Sequence, residues 1–563
     1  QHGYSPQREG SARQVSILAM VIGLLLLVTC ANIAGLLLAR AEARQREMAV
    51  RLAIGAGQAR LARQVLTESV VLATISGLLG LLFAFWGTTA LAVAMGRAPI
   101  QMFWAMSSWI SFDFALDGRA LGFASGICLF SGILFGLAPA MRGANLSPSV
   151  MLTSRGTSSR RAGLSLGKML VVAQVGLSVV VLVAATLLAR TMRNLGTEPL
   201  GFRRDKLILV WMQPSATEAG RDTARVKQLW TNVQRRLSEL PGVASASALN
   251  GGVLSGRIES ARPLGDAFRI PGQAPRPSTM PSARTFVTPH FFSTLGARLI
   301  AGRDFRELDG VSARVVIINE TMAKHYFDNR DPIGRRLGLA GDTTANFEII
   351  GVVRDVELAS PRAARRPRLL WYVPYQDRTA AQNLVIMCAI LRVSDAGAPS
   401  PAMMRGALRE VDAALPVLRI NAVDEQLNDV LGQDRLIAGL ASGFATIVLL
   451  LACLGLYGVI AYTTSRRTGE VGIRMALGAT SANAVGLVMR DGLRLAAAGL
   501  AIGIPLALAG GRVVASRLYG VTATDPWTIA VVTLLMIVLA AVAAFVPALR
   551  VARVDPAIAL RAN

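Results

Sequence analysis

Two short segments of the chain carry the same charged pattern followed by a glycine, 423 positions apart. Their residues are Glu47, Arg51 and Gly55 in the first segment and Glu470, Arg474 and Gly478 in the second. A glutamate four positions before an arginine pairs with it along one face of a helix, and a glycine after the last turn ends a helix in the left-handed conformation. We expect two short amphipathic helices, the docking segments (residues 47–55 and 470–478), whose exposed charges suit contact with another protein. A helix that only lies on the membrane interface is the alternative.

The repeat extends beyond the docking segments. Further pairs at the same spacing are Cys30 with Cys453, Glu68 with Asp491 and Gly80 with Gly503. A second match, at a spacing of 408, joins Pro139-Ala140-Met141-Arg142 to Pro547-Ala548-Leu549-Arg550. Because charges, glycines and prolines recur in register, the chain contains two copies of one module. Duplicated membrane modules work as paired units.

Glu68 and Asp491 are the acidic residues that the repeat places at one position of a span. Two interpretations stay open for them. Each acid lies near the predicted start of a span, where it can favour the helix N-terminus and pair with an arginine such as Arg63 or Arg494. The other interpretation gives both acids a part in coupling between the modules.

Seven stretches are apolar enough, and at about 20 residues or more long enough, to cross a bilayer. They are residues 15–39, 65–95, 121–140, 169–191, 436–462, 485–510 and 528–549. A mean hydropathy of +0.47 and 53% hydrophobic residues also exceed what a soluble globular chain carries. The chain is therefore predicted to be a multi-pass membrane protein.

The net charge of +24 is carried mainly by loops on one side of these spans. Lys and Arg concentrate on the cytoplasmic side of membrane proteins, so loops 41–64 and 142–168 are assigned to the cytoplasm. This orientation predicts a bacterial inner-membrane protein whose large segment lies outside, with the lipid membrane as a partner and no nucleic acid. The three histidines and four cysteines have no metal-ligand or disulfide spacing. We predict no metal, no cofactor and no catalytic residue.

Short β-branched runs alternate with helical patterns in the outside segment. The predicted strands are 207–212, 315–318, 347–353 and 384–393, and the predicted helices are 223–240, 320–327 and 402–414. The fold class is thus membrane α-helical, with about seven spans in two repeated modules and an extracytoplasmic α+β domain. The predicted parts are an N-terminal stub (1–13), a first permease module (14–152), a basic linker (153–168), a span (169–192), the outer domain (193–434) and a second permease module (435–563).

The repeated motifs resemble a known family. The pattern Glu-x-x-x-Arg-x-Ala-x-Gly-Ala after a span, with Pro-Ala-x-Arg-x-Ala-x-x-x-Pro-x-x-x-Leu after the last span, is similar to the FtsX-like permease domain. The outer domain resembles the MacB-like extracytoplasmic domain. The residues that carry this second resemblance are Gly201-Phe202, Gly302-Arg303-Asp304-Phe305, Val316 to Glu320, Phe327, Asp331 to Gly334, Gly351 to Val353 and Asp355. Within the outer domain, Arg303 and Asp304 are expected to fix a turn rather than bind a ligand.

The resemblance implies the permease subunit of an ABC-type system that works by mechanotransmission. A cytoplasmic ABC ATPase would move the docking segments, and the outer domain would act on an envelope substrate or adaptor protein. The chain shows no phosphate-binding Gly-x4-Gly-Lys-Ser/Thr pattern, since Gly167-Lys168 is followed by Met169. We therefore expect no enzyme activity here and ATP hydrolysis by a partner. The double copy is similar to duplicated orphan permeases, from which this chain differs by lacking the first span and first outer domain. Because it begins with Gln1, it is expected to be a fragment.

Two other functions stay open. A secondary transporter built from two repeats would bind its substrate at mid-membrane, with charges or broken spans there. An envelope-sensing scaffold without transport would share every sequence feature of the permease except the identity of its partner.

Overall fold

The computed structural model describes residues 22–24, 26–33, 51, 58–96, six positions between 118 and 130, 166–217, 222–255, 261–262, 268–273, 280–311, 313–328, 330–339, 346–364, 368–377, 386–466, 480–515 and 518–552. Contacts divide the chain into two units, with boundaries after Met192 and after Gln433. One unit contains the long apolar helices and the other contains the sheet. We call them the membrane unit and the outer unit.

The helices and strands have the following bounds. The helices are α1 (Ile22–Ile33), α2 (Gln58–Gly96), α3 (Leu166–Thr197), α4 (Thr223–Ser238), α5 (Phe291–Leu295), α6 (Glu320–Phe327), α7 (Pro401–Val411), α8 (Val423–Val430), α9 (Gly432–Arg466), α10 (Ser481–Val514) and α11 (Pro526–Ala552). The strands are β1 (Leu207–Met212), β2 (Val243–Asn250), β3 (Ala261–Arg262), β4 (Phe268–Arg269), β5 (Ser282–Val287), β6 (Leu299–Gly302), β7 (Val315–Asn319), β8 (Arg336–Leu339), β9 (Phe347–Val353), β10 (Leu369–Pro374), β11 (Met387–Val393) and β12 (Val417–Ala422).

Five helices of the described part are long and apolar enough to cross a membrane. These spans are Val70–Thr89, Gly167–Thr197, Asp434–Ser465, Ser481–Arg512 and Pro526–Arg550. They correspond to five of the seven predicted spans. Of the remaining two, the first is described only as α1, and 121–140 lies outside the described residues apart from isolated positions.

In the membrane unit, α9, α10 and α11 pack with α3, whose most apolar stretch is 67% buried, whereas the span Val70–Thr89 of α2 is 0% buried. Val179 of α3, Val448 of α9 and Ala544 of α11 have no exposed surface. A Cβ built on Gly492 of α10 would lie 2.9 Å from Ile460 Cδ1 of α9 and 3.0 Å from Ala544 Cβ. Small residues at such crossings let membrane helices approach closely. The second permease module and α3 therefore form one tightly packed bundle.

The outer unit is built on a mixed sheet whose strand order is β12-β1-β11-β2-β5-β10-β7-β9-β8-β4. Strands β3 and β6 pair at the side with β5 and β9. The pairs β5/β10 and β7/β9 are parallel, and the other pairs are antiparallel. Helices α4 and α7 cover one core, which contains Trp230, and α6 covers a second core, which contains Trp371. This arrangement confirms the predicted α+β class.

Local side-chain hydrogen bonds fix where several of these helices begin and end. Every residue of β7 is buried, and the side chain of Asn319 at its end accepts a hydrogen bond from Met322 N, 3.2 Å away. This is the geometry of a helix N-cap, so α6 begins at Glu320, as predicted. The predicted helix 402–414 ends instead at Val411. Asp412 is extended there (φ −155°, ψ 111°) and its side chain accepts from Ala414 N, which competes with helical hydrogen bonds.

Candidate functional site

Most of the docking segments lies outside the described residues. This holds for Glu47, Gly55, Glu470, Arg474 and Gly478. Arg51 is described, is exposed and helical, and its Nη1 donates to Gln64 Oε1 of α2 at 3.2 Å. Arg51 therefore contacts the second turn of α2, the helix that follows it in the chain. The docking role itself stays a prediction.

Glu68 and Asp491 lie at matching places in two helices whose starts also differ by the repeat spacing. Helix α2 begins at Gln58 and α10 begins at Ser481, after the N-cap Thr480. Both acids are half-buried and lie in the third turn. The interaction of an acid with the helix dipole fades within the first turn, so that part of the first interpretation gains no support from acids in the third turn. Its other part, pairing with an arginine, is present for Asp491, whose Oδ1 lies 3.7 Å from Arg494 Nη1. Coupling through these acids stays a proposal.

Helix α3 crosses α10 at three glycines. A Cβ built on Gly503 would lie 2.7 Å from Gly176 O and 2.9 Å from Gly176 Cα. A Cβ built on Gly499 would lie 2.4 Å from Val175 Cγ1. Gly499 and Gly503 form the small-x-x-x-small pattern that brings membrane helices into backbone contact. The span that leads along the chain to the outer unit is thus held against the second permease module.

The same span is held a second time near its other end. Arg190 of α3 forms an ion pair with Asp525, and its Nη1 also donates to Thr528 Oγ1 at 3.2 Å. Asp525 Oδ2 accepts from Thr528 N at 2.8 Å and from its hydroxyl at 2.7 Å, which caps α11. Nearby, Tyr519 N donates to Thr191 Oγ1 at 3.2 Å. We call Arg190, Asp525 and Thr528 the outer clasp. It was not predicted, although Asp-Pro-x-Thr is a typical helix start.

Two substitutions of Asp525 separate the contribution of the helix cap to stability from the contribution of the ion pair with Arg190. Asn caps helices as well as Asp does, so Asp525→Asn weakens only the ion pair with Arg190. We expect a cost of about 1 kcal/mol, the upper end of the range for surface pairs, because both side chains are partly buried. Asp525→Ala also removes the cap and is expected to cost about 0.5–2 kcal/mol more. Thermal unfolding of the purified protein in detergent should rank wild type above Asn and Asn above Ala. Equal losses for Asn and Ala would show that the cap contributes nothing.

The clasp also predicts a pH dependence. The hydrogen bond from the Thr528 hydroxyl, followed by the Thr528 amide and Arg190, lowers the pKa of Asp525 despite partial burial. A carboxyl whose pKa is lower in the folded state stabilises the fold above its unfolded pKa, about 3.9, and loses that contribution as the pH falls. The difference between wild type and Asp525→Asn should therefore be present at neutral pH and shrink below about pH 4.

Arg303 and Asp304 in the outer unit fix a turn, as expected. Arg303 donates from both Nη atoms to Asp309, at 2.6 Å and 3.0 Å. Asp304 accepts from Phe305 N at 2.7 Å, and burial raises the pKa of its carboxyl. Within the described ranges, no group of three or more His, Cys, Asp or Glu residues is placed to hold a metal ion. The two charged residues therefore serve the loop between β6 and β7.

Asp355 and Gly201, which carry part of the resemblance, also have structural roles. Asp355 Oδ1 accepts from Asn319 Nδ2 at 2.6 Å and Oδ2 accepts from the Thr321 hydroxyl at 2.7 Å, which ties the end of β9 to the start of α6. Gly201 has φ +81°, and a Cβ there would lie 2.0 Å from Asp355 O. Only glycine fits this approach. The chain that follows α3 is thereby fixed against the sheet of the outer unit.

Comparison with known families follows the same division of the chain. The model of the MacB-like periplasmic core domain matches residues 169–405. The model of the FtsX-like permease C-terminal domain matches two segments, residues 19–148 and 442–556. The chain belongs to the FtsX/MacB-like permeases. The two FtsX-like matches cover the two copies found by the repeat, so the predicted resemblance is confirmed, together with the membrane helices and the extracytoplasmic α+β domain.

Individual relatives match over shorter stretches. The pyoverdine export ATP-binding/permease protein PvdT of Pseudomonas syringae pv. tomato is 33% identical over 150 residues, which is 26% of this chain and 20% of that protein. The macrolide export ATP-binding/permease protein MacB of Nitrobacter winogradskyi is 36% identical over 122 residues, which is 22% of this chain and 19% of that protein. The chain thus spans about a fifth of the length of these relatives.

One solved structure is also similar. The periplasmic region of MacB from Actinobacillus actinomycetemcomitans aligns with 40% of this chain and 91% of that chain, at 18% identity and a TM-score of 0.27.

Proposed function

We propose that the chain is the permease subunit of an ABC-type export or mechanotransmission system. In this proposal a cytoplasmic ATPase moves the docking segments, and the membrane helices carry the motion to the outer unit. The outer unit then acts on an envelope substrate or adaptor protein. ATP is hydrolysed by the partner.

The observation that carries the proposal is the double attachment of α3 to the second permease module. Gly176 lies against Gly499 and Gly503 of α10, and Arg190 is paired with Asp525 at the start of α11. A helix held at two levels moves as a rigid body with its neighbours rather than sliding past them. Because α3 leads along the chain to the outer unit, a displacement of α10 and α11 supports a displacement of that unit.

The docking segments lie at the right places in the chain to start this motion. Residues 470–478 connect α9 to α10, and residues 47–55 precede α2, whose Gln64 accepts a hydrogen bond from Arg51. A push on either segment would be passed directly to a span. In each module this is the span that carries the repeat-equivalent acid, Glu68 or Asp491, and we propose a coupling role for both acids on that ground.

The composition of the spans favours a relay over a mid-membrane transport site. In the described parts of the spans, most charged side chains lie near the ends, as Arg190, Asp434 and Arg550 illustrate. The exceptions, Arg490, Asp491 and Arg494, lie in the first half of the span Ser481–Arg512. An ion or substrate pathway would place ionisable groups deeper in the membrane. The names of the relatives indicate export. We propose export as the direction of transport for this chain as well, without a substrate. The double copy is similar to orphan permeases, which often have no ATPase gene beside them. The ATPase should therefore be sought beyond the neighbouring genes as well.

A charge exchange in the second docking segment tests the proposal. Glu470→Arg with Arg474→Glu keeps the net charge and costs the helix only about 0.3–0.5 kcal/mol, so the protein should insert at normal levels. Reversed charges at a docking surface are repelled by the partner, and co-purification of an ABC ATPase should fall about tenfold, which corresponds to ~1.4 kcal/mol.

The outer unit offers a matched control for this exchange. Glu320 and Lys324 form an exposed pair with the same i,i+4 spacing, 2.6 Å apart. Glu320→Lys with Lys324→Glu should leave ATPase co-purification unchanged. Equal co-purification from both exchanges would contradict the docking role, and recovery of a kinase or hydrolase in place of an ATPase would support the scaffold alternative.

A further inference from the structure

Two repeat-equivalent residues face each other inside the membrane unit. Asn32 of α1 and Gly455 of α9 are 423 positions apart, which is the spacing of the repeat. A Cβ built on Gly455 would lie 3.1 Å from Asn32 Oδ1. In a two-fold arrangement, residues beside the axis face their own copies. Repeat-equivalent positions of the two permease modules therefore meet at Asn32 and Gly455, as residues beside a pseudo-twofold axis would.

A second polar side chain reaches the same point from α3. Gln174 Nε2 donates to Leu451 O of α9 at 2.8 Å. Gly455 lies one turn after Leu451, and its absent side chain leaves the room that the amide uses, since a Cβ there would lie 2.4 Å from Gln174 Oε1. Gln174 is 2% exposed and Asn32 is 6% exposed. We call Asn32, Gln174 and Gly455 the polar seam.

The seam contains one buried acceptor that is not satisfied. Among the described residues, Asn32 Oδ1 has no hydrogen-bond partner. Gln174 Nε2 carries two hydrogens, and its bond to Leu451 O uses one of them. Two apolar side chains at this helix contact would pack equally well after the helices slide along each other. Buried amides favour the one alignment of the helices in which their hydrogen bonds form. A shift of the helices that brings Asn32 Oδ1 to the second hydrogen of the Gln174 amide would satisfy both groups.

We propose that the polar seam sets the register of the two permease modules, and that Asn32 Oδ1 accepts from the Gln174 amide when the modules shift. In the structure the Gln174 amide holds α3 to α9. In the shifted register the same amide also bonds α1, so all three helices are joined. Asn32 and Gln174 are then positioning residues for the relay, and this role rests on the proposed function.

Disulfide trapping tests the geometry of the seam without reference to ATP. In the full chain with Cys30, Cys128, Cys388 and Cys453 changed to alanine, Asn32→Cys is combined with Gln174→Cys. The matched pair combines Asn32→Cys with Val181→Cys, which lies seven residues, or roughly 10 Å, further along α3. Oxidation in native membranes should cross-link the first pair and leave the second largely free. Equal yields for the two pairs would overturn the seam.

Asn32→Leu tests the positioning role. This change removes an unsatisfied buried acceptor, so expression and melting temperature should equal or exceed those of the wild type. The ATP turnover of the partner in membranes, or the envelope phenotype, should nevertheless fall about three- to fifteen-fold, as expected for one interhelical hydrogen bond. Full function in Asn32→Leu would overturn the positioning role. The proposed permease function would still stand in that case, provided the exchange of Glu470 and Arg474 lowers ATPase co-purification as expected.

Discussion

Replacing Gly503 by alanine is expected to destabilise the membrane unit, whereas the same replacement at Gly486 is expected to stabilise it. A Cβ at residue 503 would lie 2.7 Å from Gly176 O and 2.9 Å from Gly176 Cα. Both are backbone atoms, so α3 and α10 would have to move apart. Overpacking of this kind costs about 1–3 kcal/mol, which exceeds the ~1 kcal/mol that alanine gains over glycine in a helix.

Gly486 is the matched control because it lies in the same helix and nothing is within 4 Å of its Cβ position. Thermal unfolding of the purified protein in detergent measures both variants. A fall in melting temperature for Gly503→Ala and a small rise for Gly486→Ala would support the crossing. Shifts of the same sign and size would contradict it, and with it the attachment of α3 to the second module.

Truncation of Trp230 is expected to have the largest effect on the outer unit. Its side chain has no exposed surface, and its ring stacks on Tyr375 with centroids 5.6 Å apart and planes 8° apart. Removing a buried tryptophan side chain costs about 3–5 kcal/mol. Denaturant unfolding of residues 193–433, expressed alone, should be cooperative in the wild type, and its midpoint should fall steeply in Trp230→Ala.

Leu308 provides the control for this truncation, since it is 74% exposed. Leu308→Ala should change the free energy of unfolding by no more than about 0.5 kcal/mol. If Trp230→Ala unfolds at the same denaturant concentration as Leu308→Ala, the core formed by α4, α7 and the sheet is not the one described. A non-cooperative wild type would count against an outer unit that folds by itself.

Strands with apolar sequences could be predicted, and strands with small polar sequences could not. The strands 207–212 and 347–353 were predicted with their observed bounds, because most of their residues are apolar and many are β-branched or aromatic. Strand β2, Val243–Asn250, has the sequence VASASALN, in which alanine and serine give no strand signal. It becomes a strand because it pairs with β11 over its whole length, and this long-range contact overrides local preference.

Some residues of the candidate site could be predicted from the sequence and others could not. The repeat identifies the docking segments, Glu68, Asp491 and Gly503, because duplication is visible in the sequence itself. It does not identify Arg190 and Asp525, which are separated by 335 positions, or the approach of Gln174 to Gly455. Contacts of this kind depend on how the helices pack, and no local pattern marks them. The glycine pair Gly499 and Gly503 gives the nearest sequence signal for the helix crossing.

The central claim is that ATP moves the two docking segments relative to each other. A cysteine pair at Ala49 and Gly472, which are equivalent in the repeat, measures this directly in a background without the native cysteines. We predict that cross-linking in inside-out membrane vesicles from the native host changes on addition of ATP and vanadate. The change should disappear when Glu470 and Arg474 are exchanged. Identical cross-linking with and without ATP, in a chain that is otherwise functional, would contradict the mechanotransmission account.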